Sequence, residues 1–451
     1  MINDIEYTKL QEYFKTSSDV KLFEFYREQH YYLGIYTENL GNIFDFDNYY
    51  MPHINNDNLA NLQTKFPGVF KKQEKVSYKY IEESIYDGKI LLFIDNQYFY
   101  EILLINKPLR NPNNSKIDPI NLLGSQDGFI EDAKTNIALV RKRLKTNNLV
   151  VEELTIGDIN KTTIFITYLK EFASYKDEIK DKLKKMDHKY PASISSINKV
   201  FQGHSLVPMT LNTSSPENFS VALTQGRTGI ILDNSPVGLI VPVNLSTFAS
   251  MKNDEDSPFF YSLVVRSLIL LFLAISLFGL GLMISIINYH PDSLTISILS
   301  NLKLTERGTS FTIFLEISAI LILFEFYRFA ASRSSPTYIQ NIVIILGGLF
   351  IGQNAINSGL IGPLILLITS LAYLSSYAFT NNPYMISAIS NFRFFILILS
   401  HFFGMIGFFL SSFLVIAYLS SLKSFDVPYL YPFTPFSKKS TKEYFIPRSK
   451  R

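Results

Sequence analysis

The sequence predicts an α+β integral membrane protein, with a cytoplasmic N-terminal half of two related α/β subdomains and a helical transmembrane half of four to five apolar segments. Three observations carry this. From Ser334 to Phe392, 59 residues pass without one Asp, Glu, Lys or Arg, far more than the roughly 20 apolar residues that one helix needs to cross a bilayer. Residues 1–258 are rich in charge, whereas Ser267–Leu422 holds only Asp292, Lys303, Glu306, Arg307, Glu316, Glu325, Arg328, Arg333 and Arg393. The string Gly-[Lys/Arg]-five residues-Asp-Asn occurs twice, from Gly88 and from Gly226.

Composition narrows the function classes. A chain of 451 residues that is 47% hydrophobic and 18% charged is apolar for a soluble protein. A formal net charge of +3 gives no field for nucleic acid. With no cysteine, disulfides, thiolate metal sites and Cys nucleophiles are excluded. The opening MINDIEYTKLQEYF lacks a basic-then-apolar export pattern, so residues 1–258 are expected on the cytoplasmic side.

In chain order, Ser17-Ser18-Asp19 before Val20–Tyr26 reads as a capped helix start, and the aromatic, β-branched Tyr31–Thr37 as a strand. Leu59–Phe66 and Tyr80–Tyr86 read as short helices. Ile90–Ile94 and Tyr98–Ile105, around Asp95-Asn96, form a β-hairpin signature. The order then recurs: helix Phe129–Leu144, strand Thr163–Leu169, helices Lys176–Met186 and Glu217–Gln225, then Ile230–Leu232 and Leu239–Val241 around Asp233-Asn234. Tyr36 and Tyr168 lie 52 and 58 residues before the two glycines. This predicts subdomains 1–112 and 113–250, against the alternative that two hairpins share common turn chemistry.

No catalytic constellation stands out. The six histidines show no metal-ligand spacing, and no nucleophile elbow, phosphate loop or HExxH helix is present. Gly279-Leu-Gly281 lies inside an apolar helix and reads as packing rather than phosphate binding. No enzyme, cofactor or metal is expected.

The membrane half, 259–422, opens with helix Leu263–Asn288, whose Arg266 can snorkel to the headgroups. Phe311–Ala331 is apolar yet carries Glu316, Glu325 and Arg328. Charges at membrane depth mark function by default, although an interfacial amphipathic helix with a structural ion pair is the alternative. Glu325 and Arg328, at i,i+3, can pair. Ile339–Ile356 and Leu360–Phe379 form a helical hairpin around Asn357-Ser358-Gly359. On the first of these, Asn341, Gly348, Gly352, Ala355 and Gly359 share one small, weakly polar face at about 100° per residue, suited to close helix packing or to lining a path. Phe394–Leu422 is a last long helix with a small-residue stripe, Ser400, Gly404, Gly407 and Ser411. The basic tail 423–451 should stay cytoplasmic. Two cytoplasmic ends require an even number of crossings, with Phe311–Ala331 as the candidate non-spanning segment.

Gly124-Ser-Gln-Asp-Gly-Phe-Ile-Glu-Asp-Ala-Lys-Thr-Asn-Ile-Ala-Leu-Val-Arg-Lys-Arg resembles the signature of the A subunit of bacterial spore germinant receptors, the GerA family. Gly226-Arg227 with Asp233-Asn-Ser-Pro, Phe324-Glu325 with Arg328, Gly352-Gln353-Asn-Ala355 with Gly359, Arg393-Phe394 and Ser424-Phe-Asp-Val-Pro-Tyr-Leu match in the family's order. The chain departs where the family usually has Gly-Pro-Arg (here Gly124-Ser-Gln), Thr-Glu-Arg-Pro (Thr213-Ser-Ser-Pro) and a Gly-rich Arg-Glu-Ala stretch (Arg328-Phe-Ala-Ala).

The resemblance implies a nutrient-gated ion channel of the inner spore membrane, self-associating in a ring, expected as a pentamer, beside a transporter-like B subunit and a lipoprotein C subunit. In such a ring the face of Asn341, Gly348, Gly352 and Ala355 would line the pore, and the flanking Ile345 and Ile351 would form a hydrophobic gate. The alternatives are a diverged amplifier that does not itself sense nutrients, a non-conducting scaffold or sensor, and a secondary transporter, for which no inverted repeat is visible.

Overall fold

The computed structural model describes residues 7–27, 30–54, 68–72, 76–95, 98–110, 125–157, 161–186, 193–249, 259–290, 311–333 and 352–436. Two compact units emerge, 1–204 with 209–243, and 205–208 with 244–451.

The first unit opens with helix α1 (Tyr7–Tyr13) and strands β1 (Val20–Arg27), β2 (His30–Thr37) and β3 (Val69–Lys72). Helix α2 (Tyr78–Tyr86), β4 (Lys89–Ile94) and β5 (Tyr98–Leu103) complete a sheet of order β1-β2-β4-β5-β3. Val20–Arg27 is a strand where the sequence suggested a capped helix. Its register with the next strand runs from Val20 opposite Thr37 to Arg27 opposite His30, so cross-strand pairing of Phe25 with Tyr32 prevails over the local Ser-Ser-Asp cap signal. One face packs Leu33, Ile35, Leu91 and Phe93 against Leu10, Ile81 and Ile85 of the two helices. The opposite face buries Tyr32, Ile90, Leu92 and Tyr100 with Phe46. Leu59–Phe66 lies outside the described residues.

A second sheet follows from α3 (Ala133–Arg143), β6 (Leu149–Ile156), β7 (Thr162–Leu169), α4 (Lys176–Lys184), α5 (Ile194–Gln202), β8 (Leu211–Thr213), α6 (Pro216–Thr224), β9 (Thr228–Leu232) and β10 (Gly238–Val241). Its order is β6-β7-β9-β10-β8, the first sheet's order with every strand number raised by five. Sequence reading misses β6, whose β-branched Val150, Val151, Thr155 and Ile156 are interrupted by Glu152-Glu153-Leu154, and the short edge strands β3 and β8. Gly88 and Gly226, which precede β4 and β9, have φ of +86° and +84°, a region that glycine enters without penalty. Segment 16–18 bridges the sheets, Val151 N–H donating to the Thr16 carbonyl and Ser18 N–H to that of Val151.

The second unit is helical: α7 (Phe259–Tyr289), α8 (Ile313–Arg333), α9 (Pro363–Phe379) and α10 (Pro383–Ser421), closed by the β11 (Lys423–Ser424) and β12 (Val427–Pro428) hairpin. By length and composition, Phe260–Tyr289 and Pro383–Ser421 qualify as membrane spans and Pro363–Phe379 is a shorter apolar helix. This is fewer than the four to five expected, because α8 carries three charges outside its last turn and most of Ile339–Ile356 lies outside the described residues.

The last helix departs most from expectation. It starts at Pro383 rather than Phe394, and it is interrupted at Gly404, with φ 58° and ψ −137°. The chain folds back there. Phe392 and Tyr418 ring centroids lie 5.9 Å apart, whereas 26 residues of straight helix would separate them by about 39 Å. The Leu399 carbonyl lies 2.1 Å from where a Gly407 Cβ would sit. The small-residue stripe thus lines the closely packed tip of a helical hairpin with arms 383–403 and 405–421. Tyr289 caps the break, its hydroxyl 3.0 Å from both the His401 and Phe402 carbonyls. Gly281 packs against this hairpin, since a Cβ on it would meet Ile396 Cγ2 at 2.5 Å.

Candidate functional site

Charges buried in an apolar helical unit are the chemically distinctive feature of the chain. Helix α8 faces inward through Ile317, Ile320 and Leu321, and one turn before this face lies Glu316, 1% exposed. Its Oε2 accepts the Gly362 N–H at 2.9 Å. Gly362 is the N-cap of α9, and Pro363 at N1 has no N–H of its own, so the carboxylate stands at the positive end of that helix.

At the other end of α9 stands a cation. Arg393, also 1% exposed, donates from Nε to the Ser276 carbonyl at 2.7 Å. Its Nη2 reaches Ser276 Oγ at 2.5 Å and Ser376 Oγ, in the last turn of α9, at 3.3 Å. The guanidinium carbon is 5.6 Å from the Tyr373 ring centroid, while Nη1 is buried with no hydrogen-bond partner. A lone charge at membrane depth costs several kcal/mol. The negative terminus of α9, the aromatic face and the serine oxygens offset part of that for Arg393.

Near the C-terminal end of α9, Arg328 donates from Nε and Nη2 to Glu325 Oε2 at 2.8 and 2.6 Å. Ser390 Oγ donates to the other carboxylate oxygen at 2.6 Å. Arg328 Nη2 approaches Ser387 at 3.5 Å, so the pair spans from α8 to the 383–403 arm. Tyr373 OH donates to the Phe324 carbonyl at 3.2 Å. Glu325 and Arg328 remain about a quarter exposed. Helix α8 is therefore tied to α9 and the 383–403 arm through its charges, while Leu315, Ile322, Phe326 and Phe329 stay exposed on its outer side.

Of the pore and gate candidates, Asn341, Ile345, Gly348 and Ile351 lie outside the described residues. Gly352 and Ala355 fall in a helical stretch, 352–357, and are half-buried. Gly352 faces Leu366 of α9, and the Ala355 carbonyl accepts the Leu360 N–H at 3.0 Å at the reversal. Sequence reading set no role for Arg393, Ser276, Ser376 or Tyr373. The signal was available, since Arg393 is the one Asp, Glu, Lys or Arg between Ser334 and Leu422.

Known proteins resemble this chain along most of its length. The family model described as Bacillus/Clostridium GerA spore germination protein matches residues 8–450. Spore germination protein XA of Bacillus anthracis is 31% identical over 374 residues, covering 81% of this chain and 75% of that protein. The uncharacterized membrane protein YfkQ of Bacillus subtilis (strain 168) is 28% identical over 376 residues, covering 82% and 73%. The crystal structure of the N-terminal domain of the A subunit of the Bacillus megaterium spore germinant receptor GerK3 aligns with a TM-score of 0.37 at 22% identity, over 52% of this chain and 92% of that one.

Proposed function

The chain belongs to the GerA spore germination family, and we propose that it is an A-type subunit of a germinant receptor in the inner spore membrane. In this reading it self-associates in a ring, beside a transporter-like B subunit and a lipoprotein C subunit, and conducts ions when nutrient is sensed. The working partition is two α/β subdomains, 1–112 and 113–250, a transmembrane unit, 259–422, and a basic cytoplasmic tail, 423–451.

The observation that supports the channel reading is the set of charges inside the helical unit, Glu316 and Arg393 fully buried and the Glu325–Arg328 pair about a quarter exposed. A helical unit whose only task is anchoring gains nothing from charges at that depth, whereas conduction uses them. The Gly404 reversal favours six crossings in place of four to five. Tyr289, Phe314 and Gly362 gather at the hairpin tip, around His401 and Glu316. Arg328 and Tyr429 gather at its base, against Ser387 and Met385. Segments alternating between those two levels would return the chain after Leu422 to the side from which Phe259 enters.

The test is reconstitution of the purified full chain in liposomes loaded with a potassium-sensitive dye. We expect monovalent cation flux from the wild-type protein and altered flux from Arg393→Gln. A folded, self-associated wild-type protein that passes no ions would overturn the channel reading and leave a scaffold.

A further inference from the structure

Residues 105–110, leaving β5, and residues 142–145, ending α3, lie 30 and more residues apart in sequence but meet over one acid. Arg143 Nη2 bonds Asp127 Oδ1 at 2.5 Å, and Arg110 Nε approaches Asp127 Oδ2 at 3.8 Å. Asp127 is 7% exposed and neutralises from beneath. Lys107, Arg110, Lys142 and Lys145 are exposed around it, with Lys145 paired to Asp87. Five cations thus gather about Asp127 and Asp87, with Glu217 joined to the cluster through Ser125. Their crowding is felt at Lys142, held below the ordinary lysine range by partial burial and then by Arg110, Lys145, Lys107 and Arg143. Between the cations two apolar side chains point outward, Leu109 at 71% and Ile105 at 51% exposure.

We propose that this surface docks on acidic phospholipid headgroups. Cations flanking exposed aliphatic side chains match a lipid interface, where the charges meet phosphates and the apolar groups enter the acyl boundary. Nucleic acid is matched less well, because the patch offers Leu and Ile in place of aromatic rings for base stacking. The same chain carries helices apolar enough to span a membrane, so headgroups are present at high effective concentration.

The chain has no cysteine, so Leu109→Cys can carry a single environment-sensitive fluorophore in the full-length protein. The probe is read in nanodiscs of phosphatidylcholine alone or with added phosphatidylglycerol. Docking gives a blue shift only in the acidic discs, abolished by high salt, with the docking equilibrium falling by more than about fivefold for each charge reversed in Lys107→Glu and Lys142→Glu. Lys107→Gln with Lys142→Gln, at exposed sites and without charge reversal, should give a smaller loss with unchanged melting. Identical emission in both discs, or a shift that survives both substitution pairs, overturns the proposal. A shift produced in neutral discs by polyglutamate or an oligonucleotide, but not by phosphatidylglycerol, also overturns it and assigns the patch to an acidic macromolecule.

Discussion

Arg141 donates from Nε and Nη2 to the two carboxylate oxygens of Asp19, 122 residues upstream, at 2.8 and 2.7 Å. Nη1 is bonded to the Thr146 and Leu149 carbonyls at 3.0 and 3.1 Å, and the Tyr86 ring lies 4.5 Å away. Asp19 leads into β1 of the first sheet and Arg141 sits on α3 of the second, so this buried pair fastens the two repeated sheets.

Removing one partner strands the other in a dry site, so Asp19→Asn should cost about 3–5 kcal/mol. Arg141→Lys should fare little better, because an ammonium cannot reproduce the fork. Urea denaturation of both variants measures this, and a loss under about 1 kcal/mol in either would show that the pair does not hold the sheets.

Gly88 and Gly226 share a left-handed backbone but not their surroundings. A Cβ on Gly88 would stand 2.5 Å from the Leu40 carbonyl oxygen, whereas on Gly226 it would meet the Phe172 ring at 3.1 Å. Backbone cannot yield as a half-exposed ring can. Gly88→Val should therefore lower the melting temperature more than Gly226→Val, each through roughly 1–3 kcal/mol of strain. Equal, negligible shifts would refute the assigned conformations.

The acid limb of stability belongs to the first unit. Burial alone would raise Asp127 and Glu152, but bonds from Arg143 and Ser125 to the former, and from Lys180 and Tyr168 to the latter, hold both below the ordinary carboxylate range. A lowered folded-state pKa contributes stability that is present above the unfolded value, near 4, and is lost as pH falls through the folded value. Melting scans should show midpoints falling below about pH 4, less steeply in Asp127→Asn. A pH-independent midpoint from pH 6 to pH 3 would contradict this.

How far the sequence reveals these features depends on how local their causes are. The glycine turns and hairpins are legible because Gly-Lys and Gly-Arg with Asp-Asn encode a turn within nine residues. Strand β1 was hidden behind Ser17-Ser18-Asp19, a cap signal in isolation, and its identity comes from pairing with Tyr31–Thr37. The i,i+3 spacing exposes Glu325 with Arg328, but nothing near Glu316 announces Gly362, 46 residues on. Gly404 reads as a packing glycine in an apolar helix, because the contact that covers its reversal comes from Tyr289, which belongs to another helix. The basic surface escapes composition because Lys107 and Lys142 meet only after folding.

The proposed six crossings would place the two ends of each hairpin arm on opposite sides. Single cysteines at Asn382 and Lys423 should react with an impermeant thiol reagent from one side of sealed membranes, and those at His290 and Ser358 only from the other. Reaction of all four from a single side would reject the six-crossing arrangement.

We further propose that Ile345 and Ile351 close the ion path, and the potassium content of dormant spores tests this most directly. In spores whose only copy carries Ile345→Ala or Ile351→Ala, a dewetting gate loses its seal, and potassium should leak without nutrient while protein level is unchanged. Normal potassium and dormancy in both variants, together with reduced protein, would contradict the gate and leave Ile345 and Ile351 a packing role.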